Sequence, residues 1–494
     1  MKELVAALVS CILCTIHANG NEEPSLFRIH LEKKGIDFIR TVFLQQLRSQ
    51  FTSFDVPDLS GDFSELIGTV HYTISNIHAT DSDLVDEHLK VNLAPGEGIT
   101  ASVSEVHISL SADWSYKTGE GLFKIADSGS VHLSATIDLS ITAAAGLSDG
   151  MPTFLVPRCD FHSYSVDAKF QGGASWLYNL FSHAIDSKFK HLFNSKACSK
   201  LTSGITELGQ TAFENLPLNL SISDGVFLDL SLVKPPVFTN DSVKSFHRGL
   251  FTFHGAAQQQ LLKKSTFSSP QTNKMFYLFV SKEMLNSGGV AFDESGALQT
   301  TVREIKETGM RVTTDSLGVF IPNLAKRYPQ SKDMIIRISM EKPAQFSLVE
   351  KDQTINVPLY VDLAAFVLDN STSDTTETPV FTLQIIIQGQ YSVGFDYDTD
   401  TDHRLTLKLN KTDTTVGGKI AVKKSKIGSI PVDVLNVPLQ VGISSLLRSL
   451  EKKKLPLPIT CGVKFVEPEV RIYEDVIVLG TDVSVDPEGL ACNI

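Results

Sequence analysis

Two hydrophobic rhythms organise this chain. From Ile36 to Phe51, the residues Ile36, Ile39, Val42, Phe43 and Leu47 recur three and four apart behind Gly35, which predicts a helix with one apolar face. From Trp176 to Leu201, Leu177, Leu180, Phe181, Ala184, Ile185, Phe189, Leu192 and Phe193 keep that spacing, while Lys188, Lys190, His191 and Lys196 stand opposite or late. Late cations suit the negative end of a helix dipole. Between the two helices the period falls to two. Val131, Leu133, Ala135, Ile137, Leu139 and Ile141 alternate with Ser, Thr and Asp, the pattern of a strand with one buried and one wet face. Ile99, Ala101 and Val103 alternate in one phase, and Val106, Ile108, Leu110 and Ala112 in the other. The switch at Ser104 and Glu105 predicts a β-bulge, which lets a strand coil around a curved or closed sheet.

The second half repeats the plan. Strand-like runs cover Ile335 to Met340, Val357 to Val367, Phe381 to Ile387 and Leu405 to Leu409, followed by an apolar helical stretch at Ile443, Leu446, Leu447 and Leu450. The polar stretch 255–273 shows little alternation and reads as a linker between residues 21–254 and residues 274–494. A length of 494 residues fits two to four domains, or two large β-rich ones. The net charge of -12 argues against nucleic acid, or an anionic membrane, held by bulk charge.

Residues 1–20 carry Lys2, an apolar run from Leu4 to Ile16 and a small residue at Ala18, the pattern of a secretory signal peptide. No other run reaches about 18 uninterrupted apolar residues, so a secreted, extracellular chain with at most peripheral or transient membrane contact is expected. Cys11 and Cys14 would leave with the signal. Cys159, Cys198, Cys461 and Cys492 would remain, and four cysteines allow three pairings. Spacing favours Cys159 with Cys198 and Cys461 with Cys492, each pair within one half. Sequons at Asn219, Asn240, Asn370 and Asn410 suit a secreted glycoprotein.

No paired-histidine zinc motif, P-loop or zinc-type Cys/His spacing occurs, so neither catalysis nor a cofactor or metal is expected. The acidic run Asp396, Asp398, Asp400 and Asp402 resembles the start of a calcium loop, but Thr401 and Leu407 occupy its glycine and glutamate positions. A solvated acidic edge is the better reading.

Several segments in this order resemble the family of bactericidal/permeability-increasing protein, lipopolysaccharide-binding protein and the plasma lipid transfer proteins. They are RIHLEKKGIDF from Arg28, the Cys159 and Cys198 bracket, SLVKPP from Ser231, MFYLFVSKEMLNSGGVAFDESGAL from Met275, and KLPLP followed by VRIYEDVIVLGTDV. The resemblance spans essentially the whole mature chain. It implies an α+β fold: a boomerang of two barrel-like domains, each a twisted antiparallel sheet closed by a long helix, joined by a central antiparallel sheet. It also implies apolar pockets that hold phospholipid acyl chains. Candidates to line them are Ile36, Ile39, Phe43, Leu47, Leu177, Phe181, Ile185, Ile443, Leu446, Leu447 and Leu450, although such stripes also serve as plain core.

The chain departs from the family where bacterial lipid is gripped. Bactericidal and lipopolysaccharide-binding members present lysines and arginines at the tip of the N-terminal barrel, whereas ADWSYKTGEGLFK here keeps Trp114 with only Lys117 and Lys124. From Asn21 to His254 there are 17 basic and 27 acidic residues, which weakens phosphate gripping by the tip. The chain also ends soon after its last strand, without the helix that plugs the cholesteryl ester transfer protein. The expectation is a carrier or transfer protein for phospholipid or another amphipathic lipid. An innate-immune binder of bacterial lipopolysaccharide is the alternative, needing a basic patch assembled from residues such as Lys33, Lys34, Arg40 and Arg48. An extracellular interaction module with a vestigial pocket is the third reading.

Overall fold

The computed structural model describes residues 25–50, 55–56, 58–65, 68–85, 87–119, 125–172, 198–199, 201–207, 209–211, 213–214, 216, 218–254, 273–305, 309–369, 376–397, 405–415, 420–435, 455–456 and 463–485. Three large antiparallel sheets dominate it.

A six-stranded sheet lies at the centre, in the order Leu232–Phe238, Ser242–His247, Phe27–Glu32, Phe276–Ser281, Val476–Val485, Val463–Ile472. Three strands come from each half of the chain, as the resemblance implies. Phe27–Glu32 pairs along its length with Ser242–His247 on one side and with Phe276–Ser281 on the other. Its Phe27, buried among apolar residues of both halves, fixes the register because a one-residue slip would turn it out to water.

The N-terminal sheet has seven strands, and its three longest, Gly98–Thr118, Ile125–Ser148 and Met151–Gln171, lie side by side. The predicted bulge is present: the register between the first two shifts between Val103 and Val106. Glu105 there takes φ +55°, and its N–H donates to Asp138 Oδ1 at 2.7 Å. The carboxylate thus satisfies a backbone donor that the bulge removes from the ladder.

The C-terminal sheet has eight strands, led by Thr354–Asp369, Thr376–Tyr397 and Leu405–Thr415. They contain the predicted runs and extend beyond them. Among the described residues both outer sheets run from one edge strand to another without returning, so neither is closed by strand pairing alone, in keeping with the expected barrel-like rather than fully closed domains.

The first predicted helix forms over Lys33–Gln50. A second helix, Lys282–Glu294, starts where Ser281 Oγ accepts the Met284 N–H at 3.1 Å. It lies so close to the chain that a Cβ on Gly289 would stand 2.1 Å from Ala344 O. The apolar stretch at Ile443, Leu446, Leu447 and Leu450 and nearly all of the linker 255–273 lie outside the described residues.

Candidate functional site

The bulge divides the apolar face of the N-terminal sheet into two environments. On the hairpin side, Ile108, Leu110, Ala112, Trp114 and Tyr116 are buried with Val131 and Leu133 of the next strand. Trp114 stacks parallel to Tyr116 at 6.0 Å and meets the edge of Phe170 at 5.9 Å, while its indole N–H donates to Ser130 O at 3.1 Å. This aromatic cluster is therefore core with its one polar group satisfied.

On the other side the same face opens. Ala101, Val103, Ile137, Leu139 and Ile141 are only partly buried. Register sets Val103, Leu139 and Phe161 in one cross-strand row and Ala101, Ile141 and Cys159 in the next. A cleft of about 480 Å³ is lined there by Val103, Leu139, Phe161, Cys159 and Cys198, with Ser102, Ser104, Ser140, Asp138, Asp160 and His162 contributing polar groups. The disulfide between Cys159 and Cys198 fastens a helical segment to the strand at this wall. The polar part is held rigidly. Asp138 accepts from both the Glu105 N–H and the Tyr164 hydroxyl, and that hydroxyl's bond is the main cause raising the Tyr164 pKa.

The C-terminal sheet offers a contrast. Ile355, Val357, Leu359, Val361, Leu363, Ala365 and Val367 alternate in the same way, yet every one is buried. The partly open apolar row belongs to the N-terminal sheet.

The first helix meets the open region's margin. Ile36 is buried in a cluster with Ile99, Phe154 and Phe213, and Ile39 packs half-buried against it. Phe43 and Leu47 follow on the same helix, their side chains outside the described residues. Leu177, Phe181 and Ile185, the C-terminal stripe, and Cys461 and Cys492 also lie outside. Asn219 and Asn240 are exposed, Asn410 falls within the strand Leu405–Thr415, and Asn370 lies outside. Asp396 belongs to the strand Thr376–Tyr397, and the rest of its acidic run lies outside. Sequence reasoning missed Val103, Leu139 and Phe161, because alternation marks which face is apolar and not whether that face is covered.

Of the four residues suggested for a basic patch, Lys33 is exposed, the Arg48 side chain lies outside the described residues, and the other two have partners. Lys34 pairs with Asp482 at 2.8 Å, and Arg40 donates to Leu89 O at 3.3 Å. Among the described residues no three His, Cys, Asp or Glu side chains come together to hold a metal, and no helix is long and apolar enough to cross a membrane.

Known proteins resemble this chain in sequence and in fold. The chain is 26% identical to a bactericidal permeability-increasing protein of Sebastes schlegelii over 97% of its own length and 98% of that protein's. It is also 26% identical to the lipopolysaccharide-binding protein of Homo sapiens, over 98% of this chain and 99% of that one. The crystal structure of a lipopolysaccharide-binding protein matches in fold with a TM-score of 0.58 at 21% identity, covering 94% of this chain and 99% of that chain. The model of the N-terminal domain of the LBP/BPI/CETP family matches residues 35–209 and that of its C-terminal domain residues 221–485, so the chain belongs to the LBP/BPI/CETP family.

Proposed function

We propose that the protein is a secreted lipid carrier that holds the acyl chains of a phospholipid-type lipid in the cleft of its N-terminal sheet and exchanges them with membranes. The observation that carries this reading is the open row of Ala101, Val103, Ile137, Leu139 and Ile141 beside the cleft, where the matching face of the C-terminal sheet is sealed. Leaving such residues partly wet costs free energy that a buried hydrocarbon chain offsets, at about 0.8 kcal/mol per CH₂ removed from water. Relative to a bilayer the same chains gain almost nothing, so the lipid resists escape into water yet passes readily to a membrane. Exposed sequons at Asn219 and Asn240 accord with secretion. The helices named from their apolar stripes would complete the pocket's walls, and residues 21–254 would form its domain.

Mass spectrometry of organic extracts should recover a two-chain lipid, and Leu139→Trp should lower its stoichiometry. Transfer of a fluorescent phospholipid from neutral vesicles should change little as salt rises from about 0.01 to 0.1 M, over which the Debye length shrinks from about 30 to about 10 Å. Lipid-free protein would sink the proposal. The names of the bactericidal and lipopolysaccharide-binding relatives favour a second reading, binding of bacterial lipopolysaccharide. A roughly tenfold loss of transfer across that salt range would favour it over the carrier.

A further inference from the structure

The chain is acidic, yet cations gather on one face of the central sheet. Register sets Arg28 opposite Phe246, Lys234 opposite Phe246 and His30 opposite Lys244, so all four polar side chains leave the sheet on the same side. The Lys234 Nζ stands 4.2 Å and the Arg28 guanidinium carbon 5.2 Å from the centre of the Phe246 ring. Two cations thus share one aromatic ring. The His30 ring leans on Phe279 at 4.4 Å, and its Nε2 is buried with no hydrogen-bond partner among the described residues. Arg28, His30, Lys234 and Lys244 are all partly buried. Two segments that carried the family resemblance, one from Arg28 and one from Ser231, meet here for a reason unrelated to the cleft.

Gathering cations in this way has a cost. Half-buried like charges repel one another more strongly than exposed ones, because less water screens them. Lys244 makes no ion pair among the described residues. Glu32 is the carboxylate on this face nearest in register, and burial raises its pKa despite the attraction of Lys244, with Asp241 adding to the rise. It is a weak counter-charge. His30 is held down to about 3, first by burial and then by Lys244 and Arg28, so at neutral pH its ring is uncharged and carries one N–H. We propose that this face of the central sheet binds a phosphate-type oxyanion, with Arg28, Lys234 and Lys244 supplying charge and the His30 ring supplying a hydrogen bond. The geometry suits such a ligand, because cations already partly desolvated share a face with a buried His30 nitrogen that lacks a partner.

Phosphate chemistry of this kind comes from a lipid headgroup or from a free phosphate compound, and two arms of one experiment separate them. The full-length protein is titrated with inorganic phosphate by calorimetry, and separately incubated with vesicles of phosphatidylcholine alone or with added phosphatidic acid. Lys234→Gln with Lys244→Gln should weaken phosphate-dependent binding about tenfold or more, the loss expected of a charge-assisted hydrogen bond. Lys351→Gln, an exposed lysine elsewhere, should leave it unchanged, and Lys244→Arg should retain it. Variant-sensitive binding in the vesicle arm alone assigns the site to a lipid headgroup, and in the soluble arm alone to a free phosphate compound. No binding in either arm, or equal binding by parent and double variant, overturns the proposal. Transfer from neutral vesicles should be the same in parent and variants, which keeps this outcome independent of the cleft.

Discussion

Replacing His247 by Gln should make the protein less sensitive to acid. His247 is 2% exposed on a strand of the central sheet, with its ring 5.7 Å from that of Phe27. Its Nδ1 lies 2.7 Å from Leu230 O and its Nε2 2.9 Å from Ser245 Oγ. A carbonyl can only accept, so Nδ1 carries the proton and Nε2 accepts from the hydroxyl. Burial pushes the pKa down to about 4, against the smaller opposing pull of the bond to Leu230. The folded value therefore lies below the unfolded one of about 6.5, so the unfolded chain binds more protons as the pH falls. The contribution is fully present above pH ~6.5, declines down to pH ~4, and is constant below. Linkage between those two values gives a loss of about 2 kcal/mol from pH 7.5 to 5.0. Gln keeps an amide N–H for Leu230 and an oxygen for Ser245 but does not titrate. Urea unfolding at both pH values, followed by circular dichroism, should show the parent losing about 2 kcal/mol more than the variant, since all other groups cancel in the difference. Equal pH dependence would show that the folded ring titrates near its ordinary value and would refute the reasoning. His30, held down to about 3, acts in the same direction and stays in both proteins.

Three further outcomes are expected. Replacing Cys159 and Cys198 by Ser opens a loop of sequence separation 39 and should cost about 4 kcal/mol on the chain-entropy model; a urea midpoint equal to that of the parent would contradict it. Gly289→Ala should destabilise by about 1–3 kcal/mol in thermal melts, because the new methyl would meet Ala344 O at 2.1 Å, and an unchanged melting temperature would mean that the helix shifts freely. Asp138→Ala should return the Tyr164 phenol toward its ordinary value in an ultraviolet pH titration, since the bond to Asp138 is the first cause raising it. A phenol that stays raised would disprove that cause.

How much of this could be read from the residues differs by element. The phase switch at Ser104 and Glu105 located the bulge, because alternation is a local property of two faces. Strand ends were less legible. Thr376–Tyr397 runs well past Phe381 to Ile387 because its Gly- and polar-rich flank at 388–391 continues a ladder dictated by neighbours at 355–358 and 411–415, which local propensity does not register. The alternating strand marked one apolar face, but not Val103, Leu139 and Phe161 as the part of it that lines a cleft, since exposure depends on what covers a face. The cationic face was invisible. Lys234 and Lys244 reach Arg28 and His30 only through a sheet pairing across some two hundred residues, and two of the basic candidates near the first helix, Lys34 and Arg40, are engaged by Asp482 and a carbonyl.

The position of Phe27–Glu32 inside the central sheet also governs when this protein can finish folding. Its Ile29 pairs with Ser245, 216 residues further along the chain, and its other edge waits for Phe276–Ser281. At ribosomal speeds of about 5–20 residues per second, the strand waits on the order of tens of seconds with both edges unpaired. During synthesis it is a bare template for any other strand, and a chain cut short before residue 276 would keep one edge bare permanently. Chaperone dependence, aggregation of truncated forms and a slow final folding step are thus consequences of where the chain placed its first strand.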